Sequence, residues 1–137
     1  MTDIESSKCG GAVTGELRTL LRIEGLVLFC AATLFYLVSG ASWWLFAVLF
    51  LAPDLSFLAY LAGPRLGAIG YNALHATIGP LLLGLCGITM PWPMAGSIAL
   101  IWLAHIGIDR ALGYGLKYAA GFGFTHLGRI GPAAKSS

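Results

Sequence analysis

Residues 101–118 read IWLAHIGIDRALGYGLKY, an apolar segment that carries His105, Asp109, Arg110 and Lys117. In lipid, one central Asp or Arg costs on the order of 2.5–3.5 kcal/mol on insertion scales. A helix that keeps such residues one turn beyond a histidine needs a local reason, and the rest of the chain indicates where to look for it.

The surrounding chain has 137 residues, 58% of them hydrophobic and 10% charged, with a mean hydropathy of +0.83. A soluble domain carries about 25% charged residues, so this composition describes an integral membrane protein whose partner is the lipid bilayer. Net charge is only +2, with no arginine-rich run and no aromatic ribonucleoprotein motif, which excludes a nucleic-acid partner. Cys9, Cys30 and Cys86 are odd in number and share no C-x-x-C spacing. They predict reduced thiols, the last two buried among apolar neighbours, rather than a disulfide framework.

Working outward, breakers divide the chain into spans. Residues 1–12 are polar and Gly/Ser-bearing and predict a disordered tail. Val13, Leu17, Leu20 and Leu21 recur at helical spacing around Glu16, Arg18 and Arg22, predicting a short interfacial amphipathic helix. Four apolar spans follow at about residues 24–38, 41–62, 66–89 and 94–118, each near the ~20 residues that cross a bilayer core. A cleaved signal peptide is the competing reading of the first span, disfavoured by its long charged lead-in and by Glu24. A Gly-rich tail, residues 119–137, has no further run long enough to span. The fold class is therefore all-α: a four-helix transmembrane bundle with a membrane domain over residues 13–118.

Charge sets the orientation. Lys8, Arg18, Arg22, Arg65, Lys117, Arg129 and Lys135 fall on one side of this topology, and the two opposite turns, residues 39–42 and 90–93, carry none. The positive-inside rule then puts both termini in the cytoplasm.

Depth can now be counted at 1.5 Å per residue. Asp54, His75 and Asp109 all come out about 12–13 Å from the inner surface, and His105 about 18 Å. Three spans thus bring polar groups to one slab, and His105 with Asp109, and Tyr71 with His75, are i,i+4 pairs sharing a face. Such groups turn inward and pair. The expected cluster is Asp54, Asn72, His75, His105 and Asp109, with Tyr71 beside it, Arg110 at its mouth, Glu24 on its rim and His126 able to fold back from the tail. Two imidazoles and two carboxylates match the ligand set of divalent zinc, iron or manganese. Three other readings use the same residues: an ion-pair network in which Asp54 or Asp109 neutralises Arg110, haem b held between His75 and His105, and a proton relay in a carrier. No G-x-G-x-x-G, Walker, H-E-x-x-H or G-x-S-x-G pattern is present.

The strings LLRIEGL (residues 20–26), WWLFAVLFLAPDLSFLAYLAGPRLGAIGYNALH (43–75), IWLAHIGIDRALGYGLKY (101–118) and THLGRIG (125–131) resemble a family of small bacterial membrane proteins catalogued only as a domain of unknown function, the 4260 series. The resemblance implies a multi-span protein of the bacterial inner membrane and brings no activity. Pro53–Asp54 and Thr125–His126 are also similar to motif pairs of bacterial membrane proteins described as metal-dependent hydrolases. The second carboxylate of that pattern is here Ser56.

The leading expectation is a cytosol-facing site in which His75, His105, Asp109 and Asp54 bind a divalent metal. Catalysis there would be hydrolysis of a lipid-like substrate, with Asp54 or Asp109 as general base and Arg110 on an anionic head group. The alternatives are a small-molecule carrier and a structural subunit, for which Gly67, Gly70, Gly84 and Gly87 would supply a homo-oligomer contact.

Overall fold

A computed structural model describes residues 13–118 and 123–131. The polar tail expected over residues 1–12 lies outside the described residues, as do parts of the Gly-rich tail. Helix α1 runs Gly15–Ser39, α2 Trp43–Phe50, a 3-10 segment Ala52–Ala62, α3 Pro64–His75, α4 Ile78–Thr89 and α5 Pro93–Leu112. A small hairpin, β1 (Phe124–Thr125) and β2 (Gly128–Arg129), follows.

These elements form four membrane-spanning units: Gly15–Ser39, Trp43–Ala62, Pro64–Thr89 and Pro93–Leu112. Each has at least 20 residues, enough for a core about 30 Å thick. Helix α5 is the central one, packing against α1, α2 and α4 and burying Ala95, Ala99, Ile101, Ala104, His105, Ile106 and Gly107. The 3-10 segment packs against α3. Most large apolar side chains on the other helices, among them Leu61, Ile88 and Val38, face outward, as lipid requires.

Two prolines break spans where chemistry is expected. Pro80 has no N–H to bond Ala76 and its ring would strike that carbonyl. Ala76 is extended (φ −83°, ψ 143°), so the third span breaks immediately after His75. The Trp102 indole donates to the Leu74 carbonyl at 2.6 Å, occupying an acceptor that the break leaves over. In the second span, α2 ends at Phe50 and the chain tightens into an 11-residue 3-10 segment containing Pro53 and Asp54. Runs of that length are uncommon outside functional hinges.

Several expectations need correction. The amphipathic stretch 13–22 is not a separate interfacial helix, since no breaker separates it from the first span and its residues from Gly15 form the start of α1. The fourth span stops at Leu112, six residues before Tyr118, because Gly113 takes a left-handed conformation (φ 94°) and ends the helix. Cys30 and Cys86 are exposed on the bundle surface rather than buried. Gly67 and Gly70 face Tyr60 and Ala59, and Gly84 and Gly87 face Ala99 and Ala95. Those four glycines serve packing within the chain, so the homo-oligomer contact expected of them has no free glycine stripe.

Candidate metal centre

Helix α5 presents His105 and Asp109 one turn apart on the face turned toward α3 and the 3-10 segment. The break after His75 leaves that residue at the last turn of α3, and Pro53 delivers Asp54 at the start of the 3-10 segment. The site is assembled where two spans are interrupted and one is continuous. In membrane proteins, interrupted helices are a recurrent way to build binding sites at depth.

The geometry is tight. His75 Nε2 lies 3.7 Å from Asp54 Oδ1 and 3.4 Å from Asp109 Oδ2. His105 Nε2 lies 3.4 Å from Asp54 Oδ1 and 3.3 Å from Asp109 Oδ2. The two Nε2 atoms are 3.2 Å apart, and one donor atom from each of the four residues lies within 4.8 Å of all the others. The histidine side chains are 4% and 2% exposed, against 18% for Asp109 and 37% for Asp54.

Tautomer matters here. His75 Nδ1 faces the Tyr71 carbonyl at 2.9 Å. A carbonyl only accepts, so Nδ1 carries the proton and Nε2 of the neutral ring offers a lone pair to the site. The Tyr71 ring stacks on His75 with centroids 3.7 Å apart and planes 8° from parallel, holding the imidazole in place. Phe50 packs edge-on against His105. His105 Nδ1 is buried without a well-formed hydrogen bond, with the Phe50 backbone as its looser neighbour.

A divalent cation suits this set. Bonds of about 2.0–2.2 Å in a tetrahedral shell imply donor–donor edges of about 3.3–3.6 Å, and the five separations above run 3.2–3.7 Å. An octahedral shell at about 2.0–2.1 Å would need edges near 2.9 Å. Haem b between the two histidines does not fit. Two axial imidazoles would stand about 4 Å apart, and both carboxylate oxygens occupy the place of the macrocycle.

The other expected residues fall elsewhere. Asn72 is not in the cluster: its amide donates to the Lys117 carbonyl at 2.8 Å and accepts from the Lys117 N–H at 2.6 Å, clamping the chain beyond α5 onto α3. Lys117 is buried, with its ammonium 4.8 Å above the Tyr71 ring, and burial pushes it down to about 8 despite the opposing pull of Asp109. Arg110 makes no ion pair with the four cluster residues, and it acts electrostatically on Tyr71, which stacks on His75. With Glu24, Gly25, His126 and three leucines it lines a separate cavity. The Asp54 and Asp109 carboxylates face the histidine Nε2 atoms and make no ion pair with Arg110 among the described residues, so the network in which one of them neutralises Arg110 is not formed. Burial and the nearby Arg110 push His126 below the usual histidine range, and its Nδ1 accepts the Leu116 N–H at 2.8 Å. Trp102, which closes the break beside His75, was missed from sequence. Its place one turn before His105 on α5 was the available signal.

The fold and this cluster define a class: a small four-span membrane protein with a His2Asp2 group, its histidines buried, assembled from two broken spans and one continuous helix. The chain belongs to the family described as Domain of unknown function (DUF4260), whose model matches residues 18–130. No curated protein and no solved structure shows a significant match.

Proposed function

We propose that Asp54, His75, His105 and Asp109 hold a divalent metal, zinc first, at the centre of an intramembrane hydrolase acting on a lipid-like substrate. One observation carries the reading: four acceptor atoms lie within 4.8 Å of one another, the His–His and His–Asp separations run 3.2–3.7 Å, and both histidines are buried. Lone pairs brought so close repel unless a cation or a proton lies between them. A bound metal supplies Lewis acidity, polarising a carbonyl or phosphoryl oxygen.

The chain's own residues divide the work. His75, fixed by the Tyr71 carbonyl, and His105 and Asp109, on the continuous helix α5, form the rigid part. Asp54 is the most exposed of the four and sits on the 3-10 segment. It is the group that would serve as general base, taking the proton of the attacking water, while the other three would hold the metal. An apolar cavity of about 170 Å³ is lined by Leu49, Ala52, Pro53, Leu74, Ile98, Ile101 and Trp102, which include the chain neighbours of Asp54 and His75 but none of the four cluster residues. A hydrocarbon chain suits that lining, which favours a lipid-like substrate over a polar one. The bias of Lys and Arg to one side of the four spans supports cytoplasmic termini, and the resemblance to small bacterial membrane proteins supports the inner membrane as the location.

Elemental analysis of protein purified in detergent, without chelator or affinity metal, tests the reading. It expects one metal per chain, lost in His105→Ala while the variant stays folded. Folded wild-type protein with no metal would overturn it. That result would favour a second reading, in which the 3.2 Å contact between imidazoles holds a shared proton for a carrier.

A further inference from the structure

The cavity that receives Arg110 is a different place from the metal centre, with its own chemistry. It has a volume of about 220 Å³ and is lined by Leu21, Glu24, Gly25 and Leu28 of α1, Arg110 of α5, and His126 and Leu127 of the hairpin. α1 and α5 approach closely at Gly25, against which the Arg110 Cβ packs, and Arg110 lines the cavity at that crossing.

Its polar groups are oriented and unspent. Arg110 is half-buried and makes no hydrogen bond or ion pair among the described residues. Glu24 attracts it electrostatically, yet the two form no ion pair and stand apart on the wall of one cavity. His126 is held by its backbone: its N–H donates to Leu116 O at 3.0 Å and its carbonyl accepts from Val13 N at 2.7 Å. With Nδ1 accepting from Leu116 N–H, the neutral ring carries its proton on Nε2 and has one donor left. The cavity therefore offers a guanidinium and an imidazole N–H for an anion, a carboxylate for a cation, and leucines below. An isolated phosphate would leave Glu24 without a partner and repelled. A zwitterion uses all three groups.

We propose that this cavity is a second binding site, which takes the phosphoethanolamine head group of a membrane lipid, phosphate against Arg110 and His126 and ammonium against Glu24. Placement agrees with the chemistry. Arg110 lies two residues from the end of α5, and Leu20 and Ile23 are exposed on the adjoining surface of α1 for acyl chains to cover. The site stands whether or not the neighbouring cluster binds metal.

Native mass spectrometry of the intact protein in detergent, with dioleoyl phosphatidylethanolamine, dioleoyl phosphatidylglycerol or dioleoylglycerol added at equal concentration, tests it. The expected result is one retained phosphatidylethanolamine per chain, favoured over both other lipids. Arg110→Gln should reduce retention about tenfold. Glu24→Gln, an exposed change that leaves the core intact, should remove the preference over phosphatidylglycerol and leave anionic-lipid binding unharmed. Equal retention of all three lipids, or no change in either variant, would overturn the proposal. Displacement of the lipid by equimolar soluble O-phosphoethanolamine would also overturn it, because the site would then recognise a free phosphoester.

Discussion

His75 Nε2 and His105 Nε2 face one another across 3.2 Å, on two helices whose residues are 30 apart in sequence. Since the Tyr71 carbonyl holds the His75 proton on Nδ1, both atoms cannot be satisfied by the protein alone unless His105 turns its proton inward. Its Nδ1, buried and without a good partner, would then be a bare lone pair in an apolar wall. A cation among the four acceptors removes the conflict, with the His105 proton moved to Nδ1, toward the Phe50 backbone.

The His–His and His–Asp separations favour four-coordination. Cobalt(II) added to the metal-free protein should give the intense visible bands of a four-coordinate ion, because the donor separations match tetrahedral edges and exceed octahedral ones. A weak six-coordinate spectrum would contradict the geometry even if metal were bound.

The two carboxylates should differ. Asp109 Oδ2 lies 3.3 and 3.4 Å from the two imidazole nitrogens and is half as exposed as Asp54. Asp109→Asn should weaken zinc binding beyond the about 10–100-fold typical of losing a supporting hydrogen bond. Asp54→Asn should weaken it less and abolish any hydrolytic turnover. Competition with a chromophoric chelator reads both constants, and the reverse order would remove Asp54 from its proposed role.

Much of this was legible in the chain. Proline and glycine breakers mark the four spans, and simple counting puts Asp54, His75 and Asp109 at one depth. The direction of Arg110 was not legible. It lies one residue beyond Asp109, about 100° further round α5, and whether that direction meets α3 or α1 depends on which helix packs there. Gly25 lets α1 take the position, a tertiary choice with no periodic signature. The Asn72–Lys117 clamp and the hairpin 124–129 were hidden for a similar reason, since a Gly-rich stretch of two-residue strands shows no alternation.

That crossing gives a stability test. A Cβ on Gly107 would come 2.5 Å from Phe29 N and 2.8 Å from Gly25 O, all backbone that cannot step aside. Gly96, on the same helix, has nothing within 4 Å. Gly107→Ala should destabilise by about 1–3 kcal/mol through overpacking. Gly96→Ala should instead stabilise by up to about 1 kcal/mol through helix propensity. Thermal unfolding in one detergent, followed by size-exclusion recovery, compares them, and equal shifts would place the crossing elsewhere.

Lys117 gives a pH signature of opposite sign to a surface lysine's. Burial lowers it to about 8, below the roughly 10.4 of an unfolded chain. Between these values the unfolded state binds more protons than the folded one, so stability rises with pH across that window. Below about 8 both states are charged and the cost of burying the ammonium is carried in full. Other groups titrate in the same range, so the quantity to measure is the difference between wild type and Lys117→Met. Met keeps the apolar stem over Tyr71 and has no charge to bury. The gap in thermal midpoint should be largest near neutral pH, with Met the more stable, and should close as pH rises from about 8 toward 10. A gap that is constant with pH would mean that Lys117 is solvated in the folded protein.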